Sequence, residues 1–388
     1  MIFLGCLFDR NREREYLKNS KTSLSNAANT FQWNLIDGFY ENKVDVTIFN
    51  ILPVGTYPRQ YKKLWLRGGS WETAGHKNYE VGCINLPIIK QFQRYIQLKK
   101  LLKHSKDRNI IIYSAYEPFL KAVYKLDRSY KITAIITDLP EFYDLGKTSA
   151  LKRYLRKNNN KKIYKYLDRV DNFVLLTKQM TEPLHVGARP YVVIEGISNG
   201  EPVKFYLPEK KSILYTGTLH RQFGILTLLE GFSFIEDPNM ELWICGGGDC
   251  QGVVEAAAQK DNRIKFFGYV TKEKVKELQE KAFMLINPRQ NEGEYTKYSF
   301  PSKTMEYMLS GKPVLMYRLD GVPAEYDPYL NYIEGNSSED MKNAICRIFN
   351  ADAHEIAGKA EAAAHFVAGN KNSTIQAKKI LDFLRRNR

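Results

Sequence analysis

Short apolar runs alternate with longer amphipathic stretches along most of the chain. Residues 2–7, 172–176 and 191–194 each read as a strand, 110–113 and 132–136 as buried strands, and 44–49 alternates toward another. Between them, 24–39 (LSNAANTFQWNLIDGF) and 88–102 carry apolar residues at helical intervals, the latter with Arg94, Lys99 and Lys100 on its outer faces. The pattern pauses in the turn-rich stretch 196–208 and then restarts. Strands are expected at 212–215, 241–245, 264–267, 285–287 and 314–316, with helices at 225–234, 272–282, 339–349 and 374–385. Such alternation predicts an α/β protein with parallel sheets. The pause divides it into domains 1–198 and 199–373. Residues 57–85 are aromatic, glycine-bearing and aperiodic, open to reading as a substrate loop or a long hairpin.

The stretch 286–317 holds the most chemistry. Pro288 stops an apolar run, a polar loop follows, and Phe300-Pro301-Ser302-Lys303 opens a helix. Proline suits a first helical turn, because the N–H it lacks would be unpaired there. Met305, Met308 and Leu309 give the helix one apolar face, and Gly311 with Pro313 ends it. Strand, loop and helix N-terminus make an anion site, since free N–H groups and the dipole point at the loop. Arg289 and Lys303 flank it, Arg289 being open to a phosphate role or to a surface ion pair. Glu306 lies one turn in, where a carboxylate accepts hydrogen bonds from two hydroxyls. Phosphate in front and a diol behind outline a nucleoside diphosphate.

Three runs, Phe300-Pro301-Ser302-Lys303, Glu306-Tyr307-Met308 and Gly311-Lys312-Pro313-Val314, resemble the donor-binding signature of family-4 glycosyltransferases of the GT-B fold. The resemblance implies two Rossmann-like domains with parallel sheets facing an interdomain cleft, and a terminal helix (about 374–388) packing back on the first domain. It gives Glu306 the ribose hydroxyls and the helix start at Ser302 the diphosphate. A second glutamate expected eight positions before Glu306 is Tyr298 here, so the contact to the donor sugar departs from the pattern. Glu292 and Glu294 lie nearby, out of register. Gly217 and Thr218, with Arg221 as the nearby cation, match the phosphate loop loosely. Tyr269 and Val270 fall where the base is covered, and Gly5 lies at the mouth of the first strand. Tyr116-Glu117-Pro118 stands where many relatives carry His-Glu-Pro, on the acceptor or sugar side. Asp138 is placed for the acceptor hydroxyl, or for capping the turn after it.

The reaction implied is metal-independent, retaining transfer from a nucleotide sugar, UDP-linked in most relatives, to a glycan or lipid-linked hydroxyl. Arg289 and Lys303 would stabilise the leaving diphosphate. No separate cofactor is expected. Two other readings stay open. A sugar-nucleotide epimerase of the same architecture would need an acid/base set among Asp138, Glu117, Glu292 and Glu294. A non-catalytic nucleotide-sugar-binding subunit would fit the departures at Tyr298 and Tyr116. Gly246-Gly247-Gly248 reads equally as a strand-end turn or a ligand contact.

Charge and cysteine usage refine the picture. The net charge of +15 is confined to residues 1–200, which hold 33 Lys+Arg against 18 Asp+Glu; residues 201–388 hold 25 of each. Such a bias suits an anionic membrane surface, nucleic acid or simply a solvated basic face; with the resemblance, nucleic acid is not the expected partner. Between Lys147 and Arg169 nine basic residues and one acidic one are interleaved with Leu151, Tyr154, Leu155, Ile163, Tyr166 and Leu167, although Asn158-Asn159-Asn160 interrupts the period. Five scattered cysteines without Cys-x-x-Cys spacing argue against a disulfide framework or zinc site. No Asp-x-Asp, Walker loop or Gly-x-Ser-x-Gly occurs. The first residues read as a strand, and no apolar run approaches a membrane span. The expected location is the cytoplasm, on the inner face of the membrane where the acceptor is lipid-linked.

Overall fold

In the computed structural model, which describes residues 1–22, 26–142 and 150–387, every apolar run named above contains all or most of a strand. The chain divides into two compact units, Met1–Ile197 with Ser373–Arg388, and Ser198–Asn372.

The first unit begins with β1 (Ile2–Gly5), α1 (Glu13–Asn19), α2 (Asn26–Glu41) and β2 (Thr47–Asn50). Leu24, where the second helix was expected to start, lies outside the described residues, and the strand expected from Val44 forms only from Thr47. The aperiodic stretch resolves as hairpin-like: β3 (Trp65–Leu66), β4 (Gly69–Thr73), β5 (His76–Glu80) and β6 (Cys83–Ile84). β3 pairs antiparallel with β6, and β4 with β5. Next come α3 (Pro87–His104), β7 (Asn109–Tyr113), α4 (Glu117–Tyr124), β8 (Lys131–Ile136), α5 (Ala150–Leu167), β9 (Asn172–Leu175) and β10 (Tyr191–Val193). The sheet order is β10-β9-β8-β7-β1-β2-β5-β4, parallel except for the edge strand β4.

The second unit runs β11 (Lys211–Thr216), α6 (Ile225–Ser233), β12 (Met240–Cys245), α7 (Gln251–Lys260), β13 (Ile264–Gly268), α8 (Lys272–Lys281), β14 (Met284–Asn287), α9 (Ser302–Leu309), β15 (Val314–Tyr317), β16 (Asn331–Ile333), α10 (Ser338–Phe349) and α11 (Ala353–Asn370). Its six strands are all parallel, in the order β13-β12-β11-β14-β15-β16. The last helix, α12 (Ser373–Arg386), packs against α2 of the first unit, burying Ala377 and Ile380 completely. Each such buried aliphatic side chain contributes roughly 1.5–3 kcal/mol.

Strand order locates the sites. In the first sheet the chain reverses direction across β1 and β7, and in the second across β11 and β14. Ligands of open α/β sheets bind beyond the carboxyl ends of the strands at such reversals. The loops in question begin at Gly5, Ser114, Gly217 and Pro288.

Two expectations are corrected here. Arg94 does not lie on the outer face of α3 but is 4% exposed: it donates to the Tyr116 hydroxyl (2.7 Å) and the Leu52 carbonyl (2.7 Å). Lys90, one turn earlier, is equally buried and donates to the Val54 carbonyl. A basic position on an amphipathic helix was read as outward, yet these two side chains hold the loop after β2. In addition, Asn158-Asn159-Asn160 does not break α5, which runs unbroken through it.

Candidate functional site

At the reversal of the second sheet, Glu306 and Lys303 sit three residues apart on α9. Lys303 Nζ donates to both Glu306 carboxylate oxygens (3.0 and 2.8 Å), and both side chains are about half exposed. Gln279 of α8, itself buried, donates to Glu306 Oε1 at 3.0 Å and fixes its direction from behind. The first turn of α9 has no side-chain cap: Pro301 occupies the cap position and Ser302 is exposed. Its free N–H groups and dipole are thus presented to solvent.

Tyr307 sets the position of that helix. Its buried hydroxyl accepts from the Thr216 N–H (2.9 Å), donates to the Thr216 carbonyl (3.0 Å) and lies 3.0 Å from the Thr216 hydroxyl. α9 is thereby held, at its sixth residue, against the carboxyl end of β11. Tyr215 supports the same loop by donating to the Thr218 carbonyl (2.8 Å). Gly217 donates its N–H to Cys245, whereas exposed Thr218 has no N–H partner among the described residues. Thr218 is thus the residue of this loop that offers a donor to a ligand.

Arg289 follows β14 as expected but is largely buried. It donates to Ser299 Oγ (2.7 Å) and lies over the Tyr295 ring at 4.5 Å, while its Nε has no partner among the described residues. Burial lowers its pKa from the ordinary guanidinium value, with Tyr295 opposing. Tyr295 opens onto the Glu294–Tyr298 turn and donates to the Gln222 carbonyl (3.2 Å), joining that turn to the one carrying exposed Arg221. Gly224 is required at this junction: its φ is +77°, and a Cβ there would lie 1.8 Å from the Pro288 carbonyl oxygen. Arg221, Arg289 and Tyr298 therefore belong to linked loops at the end of the sheet where Lys303 and Glu306 stand on α9.

The glycine run after β12 proves to be packing. A Cβ on Gly246, whose φ is +137°, would lie 1.8 Å from the Gly217 carbonyl oxygen, and Leu219 donates to the Gly247 carbonyl. It presses the β12 loop against the phosphate-loop candidate, as a strand-end turn does. After β13, Tyr269 is 89% exposed and Val270 half-buried, on the same end of the sheet.

The first-unit candidates have different surroundings. The loop after Gly5 is closed by side chains: the N–H groups of Cys6, Leu7 and Phe8 donate to Gln32, Asn50 and Asn29. Gly5 itself is buried, and its carbonyl accepts from the Ile51 N–H. Tyr116 is held between Arg94 and Gln91, and burial raises its pKa, which removes it further from base chemistry. Glu117, in the first turn of α4, is 3.9 Å from Lys121. Asp138 reaches solvent beyond β8, accepts from the Thr137 hydroxyl (3.1 Å), and has its carboxyl pKa raised by the chain packed around it. A raised carboxylate is the stronger base. Among the described residues no three His, Cys, Asp or Glu side chains gather as a metal-holding group.

Sequence reasoning missed Gln279 and the role of Tyr307. A lone amide on the inner face of the highly charged α8 was the available signal for the first. The second had none, because its partner lies 91 residues away.

Residues 210–351 match the family described as Glycosyl transferases group 1. No curated protein matches the chain. Among solved structures, the sucrose-phosphate synthase of Thermosynechococcus elongatus is similar with a TM-score of 0.68 at 16% identity, over 99% of this chain and 98% of that one. The lipopolysaccharide outer core galactosyltransferase WaaB, in its apo form, aligns with a TM-score of 0.63 at 13% identity over 100% of both chains. Anabaena HepE, in complex with UDP, gives a TM-score of 0.63 at 12% identity over 99% of both. The architecture shared with these proteins is GT-B, two Rossmann-like domains in one chain. The matched stretch spans β11 to α10 and includes every second-unit residue discussed above. The chain thus has the GT-B fold, and its second unit carries the match to the group 1 glycosyltransferases.

Proposed function

We propose that this chain is a glycosyltransferase that takes a sugar from a nucleoside-diphosphate sugar bound at the start of α9 and passes it to a hydroxyl of a glycan or lipid-linked glycan, with retention of configuration and without a bound metal. The observation that carries the reading is the group around Glu306: a carboxylate aimed by buried Gln279, on a helix with an uncapped start that the neighbouring Tyr307 holds against β11. The carboxylate accepts the two ribose hydroxyls, and the helix N-terminus receives the diphosphate. Lys303 is available to it at small cost, since a half-exposed ion pair such as Lys303–Glu306 is worth only about 0–1 kcal/mol. Arg289 is already ordered, so its charge meets the leaving group with little reorganisation. UDP bound by Anabaena HepE supports uracil as the base. On the acceptor side Asp138 takes the hydroxyl proton.

A thermal-shift series with UDP, GDP and ADP tests the donor site, because a ligand at 100 times its dissociation constant stabilises by about 2.7 kcal/mol. The reading requires one of them to bind and its 2′,3′-dideoxy form to bind at least tenfold more weakly. Equal binding of the two refutes the role of Glu306.

We further assign the first unit to an anionic membrane surface. On α3 Ile88 (84% exposed), Phe92 and Ile96 share one exposed apolar face, and on α5 Tyr154 and Leu155 are exposed beside Arg153 and Lys157. α4 touches both helices. The later part of α5 behaves otherwise: Ile163 and Leu167 are buried, and Arg169 turns inward to Asp171 (3.0 Å). Lys147 and the side chains of Leu151 and Lys152 lie outside the described residues. No described helix is long and apolar enough to cross a membrane.

A further inference from the structure

At its amino-terminal end the first sheet carries polar side chains that the fold leaves unanswered. Register sets Ile111 of β7 opposite Thr133 of β8, and Thr133 opposite Asn172 of β9. Partners in a ladder point to the same face, so these three form one row. Two residues further along, Ile135 and Val174 of that face join the core that α2 and α12 cover. Thr133 and Asn172 thus stand where an apolar core would continue, at 3% and 4% exposure.

Neither the Thr133 hydroxyl nor the Asn172 amide has a hydrogen-bond partner among the described residues, and neither is sealed from solvent as the Tyr16 hydroxyl is. Both line a cavity of about 340 Å³. Buried polar groups are almost always hydrogen-bonded, so two that are unpaired yet reachable on one wall mark where a ligand's polar groups go. Leu381 and Leu384 of α12 give the cavity an aliphatic side. Its size is near the lower end for small-molecule sites, which suits one ring system with a short substituent better than a nucleotide sugar. An amide and a hydroxyl beside an aliphatic wall fit a flat ring with a polar edge, and asparagine amides pair with the donor–acceptor edge of a nucleobase.

One row nearer the mouth, Asn109 stands opposite Lys131. Lys131 is exposed and has no ion-pair partner among the described residues, whereas Arg385 is 3.2 Å from Asp382. Two carboxylates also reach the rim: Asp107, 3.4 Å from the Met1 amino group, and Asp45, 3.8 Å from His76 Nδ1. A free lysine between carboxylates receives a single phosphate and disfavours a longer polyanion. We propose that this cavity is a nucleotide site distinct from the one at α9, taking a nucleoside monophosphate with its base on Asn172 and Thr133 and its phosphate at Lys131. It lies at the opposite end of the sheet from the loops that begin at Gly5 and Ser114, and it goes beyond the transferase reading without depending on it.

Isothermal titration calorimetry of the full chain with AMP, GMP, CMP and UMP, each in excess UDP, tests it. At least one monophosphate should bind saturably, and should bind Glu306→Ala as it binds the wild type. Thr133→Val and Asn172→Leu keep the volume and remove polar atoms that no protein group satisfies, so the melting temperature should hold or rise while binding weakens by roughly fivefold or more. Lys131→Ala, at an exposed position, should weaken the monophosphate but not its parent nucleoside. The proposal is overturned if no monophosphate binds in excess UDP, if Thr133→Val and Asn172→Leu both bind as the wild type does, or if Glu306→Ala abolishes binding, which would put the nucleotide at α9. Failure of UDP itself to shift the wild-type melting temperature would overturn the donor reading instead, so the two failures are distinguishable.

Discussion

Replacing Tyr307 by phenylalanine removes a single oxygen, yet that oxygen holds two backbone groups and a hydroxyl of Thr216. Thr216 is 4% exposed and Tyr307 1%, so water does not readily take the vacated place. An unsatisfied buried donor or acceptor costs about 1–3 kcal/mol. With the Thr216 hydroxyl free to turn toward one orphan, one is left and Tyr307→Phe should cost about 1–3 kcal/mol. For a unit of this size each kcal/mol moves Tm by roughly 2–4 °C, so a fall of about 2–12 °C is expected in a calorimetric scan. The substitution should also weaken UDP, because the N-terminus of α9 loses its fixed distance from the β11 loop. Tyr295→Phe is the control: its hydroxyl makes one exposed 3.2 Å bond to Gln222 and should matter by less than about 0.5 kcal/mol. Equal melting temperatures for Tyr307→Phe and wild type, with unchanged UDP affinity, would refute the reasoning.

Burial, with Arg94 adding repulsion, brings Lys90 down to about 8, against about 10.4 in an unfolded chain. Between those values the Lys90 site binds fewer protons in the folded state than in the unfolded one, so its contribution to stability rises from pH 8 to 10; below pH 8 both states are protonated at this site and the penalty is constant. The rise attributable to Lys90 is about 3 kcal/mol, and Lys90→Met should remove it from urea midpoints measured across pH 7–10. Lys312, also brought to about 8 by burial, keeps its own share of the slope, so a slope in Lys90→Met as steep as wild type counts against the assignment. The protein should pellet with phosphatidylglycerol vesicles at low salt and be released by high salt, each nearby Lys or Arg contributing about 1 kcal/mol. Phe92→Ser with Tyr154→Ser, which leaves the charge alone, should weaken that binding severalfold; undiminished pelleting would show that the exposed apolar faces of α3 and α5 take no part.

The strands and the start of α9 were legible because their signals are local. Runs such as Ile110-Ile111-Ile112 are buried on both faces, and Pro301 with Gly311 brackets a helix within a dozen residues. Ala353–Asn370 was missed because its alanines blur the contrast between faces, although eighteen residues there form one helix. Sequence periodicity places a charge such as Arg94 outward by default, and only the Leu52 carbonyl and Tyr116 hydroxyl that it meets in the fold reveal otherwise. The amino-end cavity of the first unit was out of reach for another reason. Thr133 and Asn172 meet through the pairing of β8 with β9 beside α12, and no local pattern carries that register.

The central claim, that the start of α9 binds a nucleotide sugar for transfer, is tested most directly by release of free nucleoside diphosphate from a panel of nucleotide sugars mixed with glycan acceptors. The account predicts release that requires donor and acceptor together, survives excess EDTA, and falls at least tenfold in Glu306→Ala at saturating acceptor and wild-type donor concentrations, with the circular dichroism spectrum unchanged. Release that is equal in Glu306→Ala and wild type would contradict it, as would turnover abolished by EDTA and restored by Mg²⁺.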